Sequence, residues 1–103
     1  MAKAIEFTVE PALLKTIGAW RTWLSVERNC SDHTLDGYGR DLSTFLNFLL
    51  DHLGYRPGLR DLKQLKSADF RSYLAKRNMD GLSKSSTART VSTLRNFFRY
   101  LLS

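Results

Sequence analysis

The sequence predicts an all-α fold, a compact bundle of four main helices. Three observations point to it. Apolar residues recur at spacings of three and four, proline or serine stands where each such run begins, and no segment alternates apolar and polar residues long enough for a convincing strand. With 103 residues the chain makes one small domain with a modest core. It is too short for most complete enzymes with a separate substrate domain.

Residues 1–10 (MAKAIEFTVE) have no sustained period and are expected to form a flexible N-terminal arm, leaving 11–103 as the helical domain. Pro11 suits the first turn of a helix, where a missing N–H costs nothing. Leu13, Ile17, Trp20 and Leu24 follow on one face, so a first helix is expected up to about Asn29. Ser31 is a good N-cap for a second helix, whose stripe of Leu35, Tyr38, Leu42, Phe45, Leu46, Leu49 and Leu53 ends at Gly54. The stretch from Tyr55 to Lys66 contains Pro57 and Gly58 and reads as a connecting loop, with one helical turn around Arg60 to Gln64. Ser67 is expected to cap a shorter third helix that carries Phe70, Tyr73 and Leu74 and ends near Asp80-Gly81. Ser83 caps the last helix, in which Ala88, Val91, Leu94, Phe98 and Leu101 share a face. That placement leaves Ser86, Arg89 or Thr90, Thr93 and Asn96 as a polar strip on the opposite side. The chain stops at Leu102-Ser103 directly after an apolar run, and a domain boundary is expected there.

Charge is distributed unevenly. Up to Leu53 there are five basic and seven acidic residues, a net of −2; beyond it there are eleven basic and three acidic, a net of +8. The basic residues of the second part are mostly arginine, whose planar fork suits phosphate groups and base edges. The overall charge of +6 therefore points to a polyanionic partner, the alternative being a solvated basic surface kept for solubility. No apolar stretch is long enough to span a bilayer, and the first ten residues lack the apolar run of a secretory signal. A single cysteine, Cys30, excludes an internal disulfide and fits a reducing cytoplasm.

Catalytic chemistry finds few candidates. His33 and His52 are nineteen residues apart, with no cysteine pair and no glycine-rich phosphate loop, so neither a metal site nor a cofactor is expected. Cys30 lies beside a helix start, which favours a thiolate, but no partner base is identifiable and a plain structural cysteine is the other reading. Two helix starts are better supplied. Ser31, His33 and Thr34 open the second helix, where hydroxyls can cap the backbone or hold a phosphate. The last helix opens with Ser83, Lys84, Ser85, Ser86 and Thr87, followed by Arg89 and Thr90, more hydroxyls than one cap needs. Small polar side chains followed by arginine one turn on let a helix sit deep in a major groove and reach base edges. Gly37 and Gly39 cost about 1 kcal/mol each inside a helix relative to Ala; they signal either close approach of another backbone or of DNA, or local fraying.

The run Glu27-Arg28-Asn29-Cys30-Ser31-Asp32-His33-Thr34, continuing through Tyr38, Arg40-Asp41-Leu42, Phe45 and Phe48, resembles the second-helix signature of the core-binding (SAM-like) domain of tyrosine recombinases, especially the Xer type. Asp69-Phe70-Arg71-Ser72-Tyr73-Leu74-Ala75, then Gly81-Leu82-Ser83, Ser86, Ala88-Arg89, Ser92, Leu94-Arg95 and Phe97-Phe98-Arg99-Tyr100-Leu101, is similar to the third and fourth helices of the same domain. The likeness covers about residues 11 to 102.

What the resemblance implies is a module forming one half of a C-shaped clamp around double-stranded DNA, in chromosome dimer resolution or DNA integration. The other half is a catalytic domain with an Arg, a Lys, an HxxR pair and a nucleophilic tyrosine, expected to lie outside this chain, since neither histidine is followed by arginine three residues on. Partners would be that domain and sister subunits on synapsed DNA. Carried over by position, the DNA-contacting set is Ser31, His33, Thr34 and Tyr38, then Arg77, Ser83, Lys84, Ser85, Ser86, Arg89, Thr90, Thr93 and Arg95, with Arg89 as the principal base-edge reader and no catalytic residue. Tyr38 also falls in the apolar stripe, which favours a core role. A rival reading is a helical protein-interaction module using exposed aromatics such as Trp23, Phe97 and Tyr100.

Overall fold

The computed structural model describes residues 5–103, and five helices are found there, with no strand among the described residues. Helix α1 spans Pro11–Val26, α2 Asp32–Leu53, α3 the single turn Leu59–Lys63, α4 Ser67–Met79 and α5 Lys84–Leu102. The four long ones match the expected elements. α1 stops at Val26 rather than near Asn29, because Asn29 takes a left-handed backbone (φ 50) and the chain turns back so that Cys30 N–H reaches the Leu24 carbonyl at 3.0 Å.

Local chemistry sets most of the helix ends. Ser31 Oγ accepts from Thr34 N–H at 3.2 Å and Ser83 Oγ accepts from Ser86 N–H at 3.2 Å, each satisfying a donor the helix cannot. Gly54 ends α2 at φ 83, a left-handed cap that glycine adopts without a steric cost. α4 begins differently from expectation. Ser67 is already helical, Lys66 is the cap residue, and the Asp69 carboxylate accepts Lys66 N–H at 2.8 Å.

α2 and α5 pack along each other, α1 lies against both, and α4 closes on α5. The core takes Leu13, Ile17, Trp20 and Leu24 from α1, Leu42, Phe45, Leu46 and Leu49 from α2, and Leu94 and Phe97 from α5, with Leu62 and Tyr73. Each such side chain contributes about 1.5–3 kcal/mol by leaving water. Phe45 sits at the centre of an aromatic cluster, edge-on to Tyr73 (5.0 Å) and Phe98 (6.3 Å) and stacked on Phe70 (5.6 Å).

Two expectations are corrected here. Residues 5–10 do not hang free. Val9 is buried in the core, Phe7 packs against it, Ser43 Oγ donates to the Glu6 carbonyl at 2.7 Å, and Glu10 N–H donates to the Pro57 carbonyl at 3.0 Å. The expected arm over residues 1–4 lies outside the described residues. The second correction concerns α5. Thr90 and Thr93 are buried, Phe97 is fully enclosed, and Asn96 accepts a hydrogen bond from Trp20. The face expected to meet solvent instead packs on α1 and α2, because α5 is covered on two sides. Its open face carries Lys84, Ser85, Ala88, Ser92, Arg95 and Arg99.

Candidate nucleic-acid interface

α2 carries a carboxylate inside its apolar stripe. Asp41, one residue before Leu42, has a side chain only 7% exposed and faces α5. A buried carboxylate needs donors. Asp41 has three contacts: Arg89 Nε donates to Oδ2 at 2.9 Å, Arg89 Nη2 donates to Oδ1 at 2.9 Å, and the Thr93 hydroxyl stands 3.0 Å from Oδ2. Thr93 shares its proton with the Arg89 carbonyl, also at 3.0 Å. Arg89 and Thr93 are one turn apart, so α5 presents both to one acceptor. The Asp41 carboxylate, through these hydrogen bonds and then its charge, raises the Arg89 guanidinium above its already high value.

Beside this pair lies an open polar groove of about 560 Å³, walled by Arg40, Asp41, Ser43, Thr44 and Asn47 of α2, Arg77 of α4, Arg89 of α5, and Ile5, Glu6 and Thr8 of the N-terminal segment. Three arginines from three helices thus line one groove with Asp41 and Glu6, and of the three Arg89 is the one paired with Asp41. Arg40 is also engaged by Asp36 one turn earlier, Nε to Oδ2 2.7 Å. That exposed pair is worth about 0.3–0.5 kcal/mol and leaves Arg40 easily redirected. Arg77 Nε is buried and has no hydrogen-bond partner among the described residues.

The sequence-derived site residues divide. Arg77 and Arg89 come together at the groove. Lys84 and Ser85 are exposed on the first turn of α5, and Ser83, Ser85 and Ser86 form a hydroxyl cluster, with Ser83 Oγ 3.3 Å from Ser85 Oγ and 3.0 Å from Ser86 Oγ. Ser83 is thereby occupied as the cap. Ser31 and His33 are exposed at the start of α2, where Ser31 caps and donates to Thr34 Oγ1 at 3.0 Å; none of the three lines the groove.

Four residues of the expected set are placed elsewhere. Thr90 and Thr93 are buried, and the Thr93 hydroxyl is hydrogen-bonded to Asp41. Tyr38 is half-buried, its ring parallel to Trp20 (6.4 Å, 7°), which is the core role its position in the stripe favours. Arg95 lines a separate apolar hollow of about 410 Å³ with Phe70, Leu74 and Phe98, between α4 and α5. Of the aromatics of the rival reading, Phe97 is buried edge-on against Trp20 (5.0 Å), while Trp23 and Tyr100 are half-buried against each other (5.4 Å).

Asp41, Arg40, Ser43, Thr44 and Asn47 join the site only through the packing of α2 against its neighbours. The signal for Asp41 was present, since an acid flanked by Tyr38, Leu42 and Phe45 at helical spacing must find a cationic partner.

What crowds Gly39 is two side chains rather than another backbone: a Cβ there would stand 2.7 Å from Ile5 Cδ1 and 3.4 Å from the Arg21 guanidinium. A Cβ at Gly37 would meet nothing within 4 Å.

An all-helical domain whose second and last long helices are locked by a buried acid–arginine pair, beside an arginine-lined groove, is the setting for the comparisons with known proteins. Residues 17–103 match the phage integrase N-terminal SAM-like domain, and the chain belongs to that family. It is 40% identical over 97 residues to the tyrosine recombinase XerC of Rhodospirillum centenum, covering 94% of this chain and 28% of that protein. It is 38% identical to the tyrosine recombinase XerC of Brucella suis over 98% of this chain and 33% of that protein, and 36% identical to that of Rickettsia felis over 90% and 30%. The chain thus spans a third or less of the length of these relatives. No solved structure matches it. No described helix is long and apolar enough to cross a membrane.

Proposed function

We propose that this chain is the DNA-binding, core-binding domain of a site-specific tyrosine recombinase, gripping one side of a duplex recombination site as half of a C-shaped clamp. The observation that carries the reading is the arginine groove, where Arg40, Arg77 and Arg89 converge from three helices and Arg89, 55% exposed, is held by a buried carboxylate. The net +8 beyond Leu53 and the relatives named tyrosine recombinase XerC support it.

In this reading Arg89 reaches base edges, Arg40, Arg77 and Lys84 take phosphates, and Ser85, Ser86, Ser31, His33 and Thr34 contact flanking bases or backbone. Cutting and rejoining belong to a separate catalytic domain, and sister subunits assemble on synapsed DNA. The process served is chromosome dimer resolution or DNA integration, in the cytoplasm.

The test is a titration of a labelled duplex at several salt concentrations. About four to six phosphate contacts give a log–log slope of roughly −4 to −5. Absence of binding even at low salt defeats the proposal.

A further inference from the structure

We infer that Asp41 is a positioning residue for sequence discrimination, presetting Arg89 for a base edge rather than for a phosphate; this rests on the DNA-binding reading above.

Arg89 uses Nε–H and one Nη2–H on Asp41, the side-on arrangement of a guanidinium and a carboxylate. The end-on edge, Nη1–H and the second Nη2–H, is left unspent, and it is a parallel two-donor fork of the kind that fits two acceptors on one purine edge. The Thr93 hydroxyl, 3.0 Å from Oδ2, fixes the carboxylate in turn, and Thr93 is itself buried. A flexible arginine would lose rotamer freedom on binding; this one has lost much of it in the free domain, so the cost of docking falls.

Charge decides between the two ligands. A lone arginine gains most from a phosphate, because each neutralised phosphate releases counterions. Arg89 already faces a buried anion, which offsets that gain. What remains is direction, and direction separates one base pair from another. Arg40 and Arg77, which have no buried acid of their own among the described residues, are the phosphate-type cations of the same groove.

The experiment compares affinity for two probes, the duplex recovered by wild-type selection from a randomised pool and the unselected pool, for the whole 103-residue chain and its Asp41→Asn, Thr93→Val and Arg89→Ala variants. Thr93→Val keeps the ion pair and the shape of the core, so it reports even if Asp41→Asn fails to fold. For Asp41→Asn the ratio of the two affinities falls by at least about fivefold, the low end of what a bidentate base contact contributes, while binding to the unselected pool rises, because an anion has left the groove. Thr93→Val lowers the ratio in the same direction by less. A purely structural Asp41 would weaken both probes together.

If Arg89→Ala lowers the ratio and both Asp41→Asn, where it folds, and Thr93→Val keep it at the wild-type value, the positioning role is overturned and DNA binding stands. If selection enriches nothing although the pool binds, base reading by Arg89 fails and the inference with it. If neither probe binds at low salt, the DNA-binding reading itself is lost.

Discussion

The indole N–H of Trp20 on α1 donates to the amide oxygen of Asn96 on α5 at 2.9 Å, across the seam where Trp20 also meets Phe97 edge-on. Trp20 is fully buried, so this donor has no water to fall back on. Asn96→Leu strands it and is expected to destabilise the domain by about 1–3 kcal/mol. Denaturant melts check this, and a loss within error would show that the indole finds another acceptor.

Arg89 and Asp41 are also coupled in stability. Arg89→Ala leaves a buried carboxylate with Thr93 alone, an expected loss on the order of 2 kcal/mol, reduced from fully buried cases because the guanidinium is half open to water. Combining it with Asp41→Leu, which removes the charge and fills the space, restores at least half of that loss. A double-mutant cycle measures the coupling, and additive effects would contradict it.

Gly37 and Gly39 respond oppositely to a methyl group. At Gly37 the added Cβ meets open space, so Gly37→Ala gains helix propensity and stabilises by about 0.5–1 kcal/mol. At Gly39 it collides with the tip of Ile5 and crowds Arg21, so part of the same gain is offset by displacing those side-chain ends. Thermal melts are expected to rank Gly37→Ala above Gly39→Ala; the reverse order would displace Ile5 from its assigned seat.

The pH dependence draws on Asp61, Asp69 and Tyr73, beside the Tyr55 phenol, which its hydrogen bond to Asp61 also raises. The Tyr55 hydroxyl (2.7 Å) and then Gly58 N–H (2.8 Å) hold Asp61 below its ordinary 3.8, and Lys66 N–H and then His52 Nε2 (3.1 Å) do the same for Asp69. Carboxylates depressed in the folded state add stability above pH 3.8 that is lost as pH falls through their folded values. Burial pushes the Tyr73 phenol up to about 12 from 10.0. The unfolded chain therefore ionises first, and this contribution, whole below pH 10.0, drains away as pH rises toward 12. Stability measured against pH should decline at both ends. Asp61→Asn and Asp69→Asn should flatten the acid limb, and Tyr73→Phe the alkaline one; unaltered limbs would contradict these roles.

Much of the architecture was legible because it is local. The caps Ser31 and Ser83, the left-handed Gly54 and the single apolar stripe of α2 depend on residues within a few positions of one another. The pattern of α5 misleads because one stripe, Val91, Leu94, Phe98 and Leu101, satisfies the periodicity and hides a second made of Thr90, Thr93 and Phe97. Threonine fits either a solvated strip or a buried one, and the Asp41 carboxylate that makes burial possible is 52 residues away from Thr93. The N-terminal segment carried a faint signal, Ile5, Phe7 and Val9 alternating with Glu6 and Thr8, too brief to distinguish an extended docked segment from a loose arm. At the site, Arg77 and Arg89 were found by residue type, whereas Arg40 joined them only once α2 and α5 were packed together.

The most direct measurement is a map of backbone amide shifts in the labelled domain as a short duplex is titrated in at low salt. The predicted result is that changes gather on Arg40, Ser43, Asn47, Arg77, Lys84, Ser85 and Arg89. Changes confined to α1, or to Phe70, Leu74 and Arg95 in the hollow between α4 and α5, would contradict it.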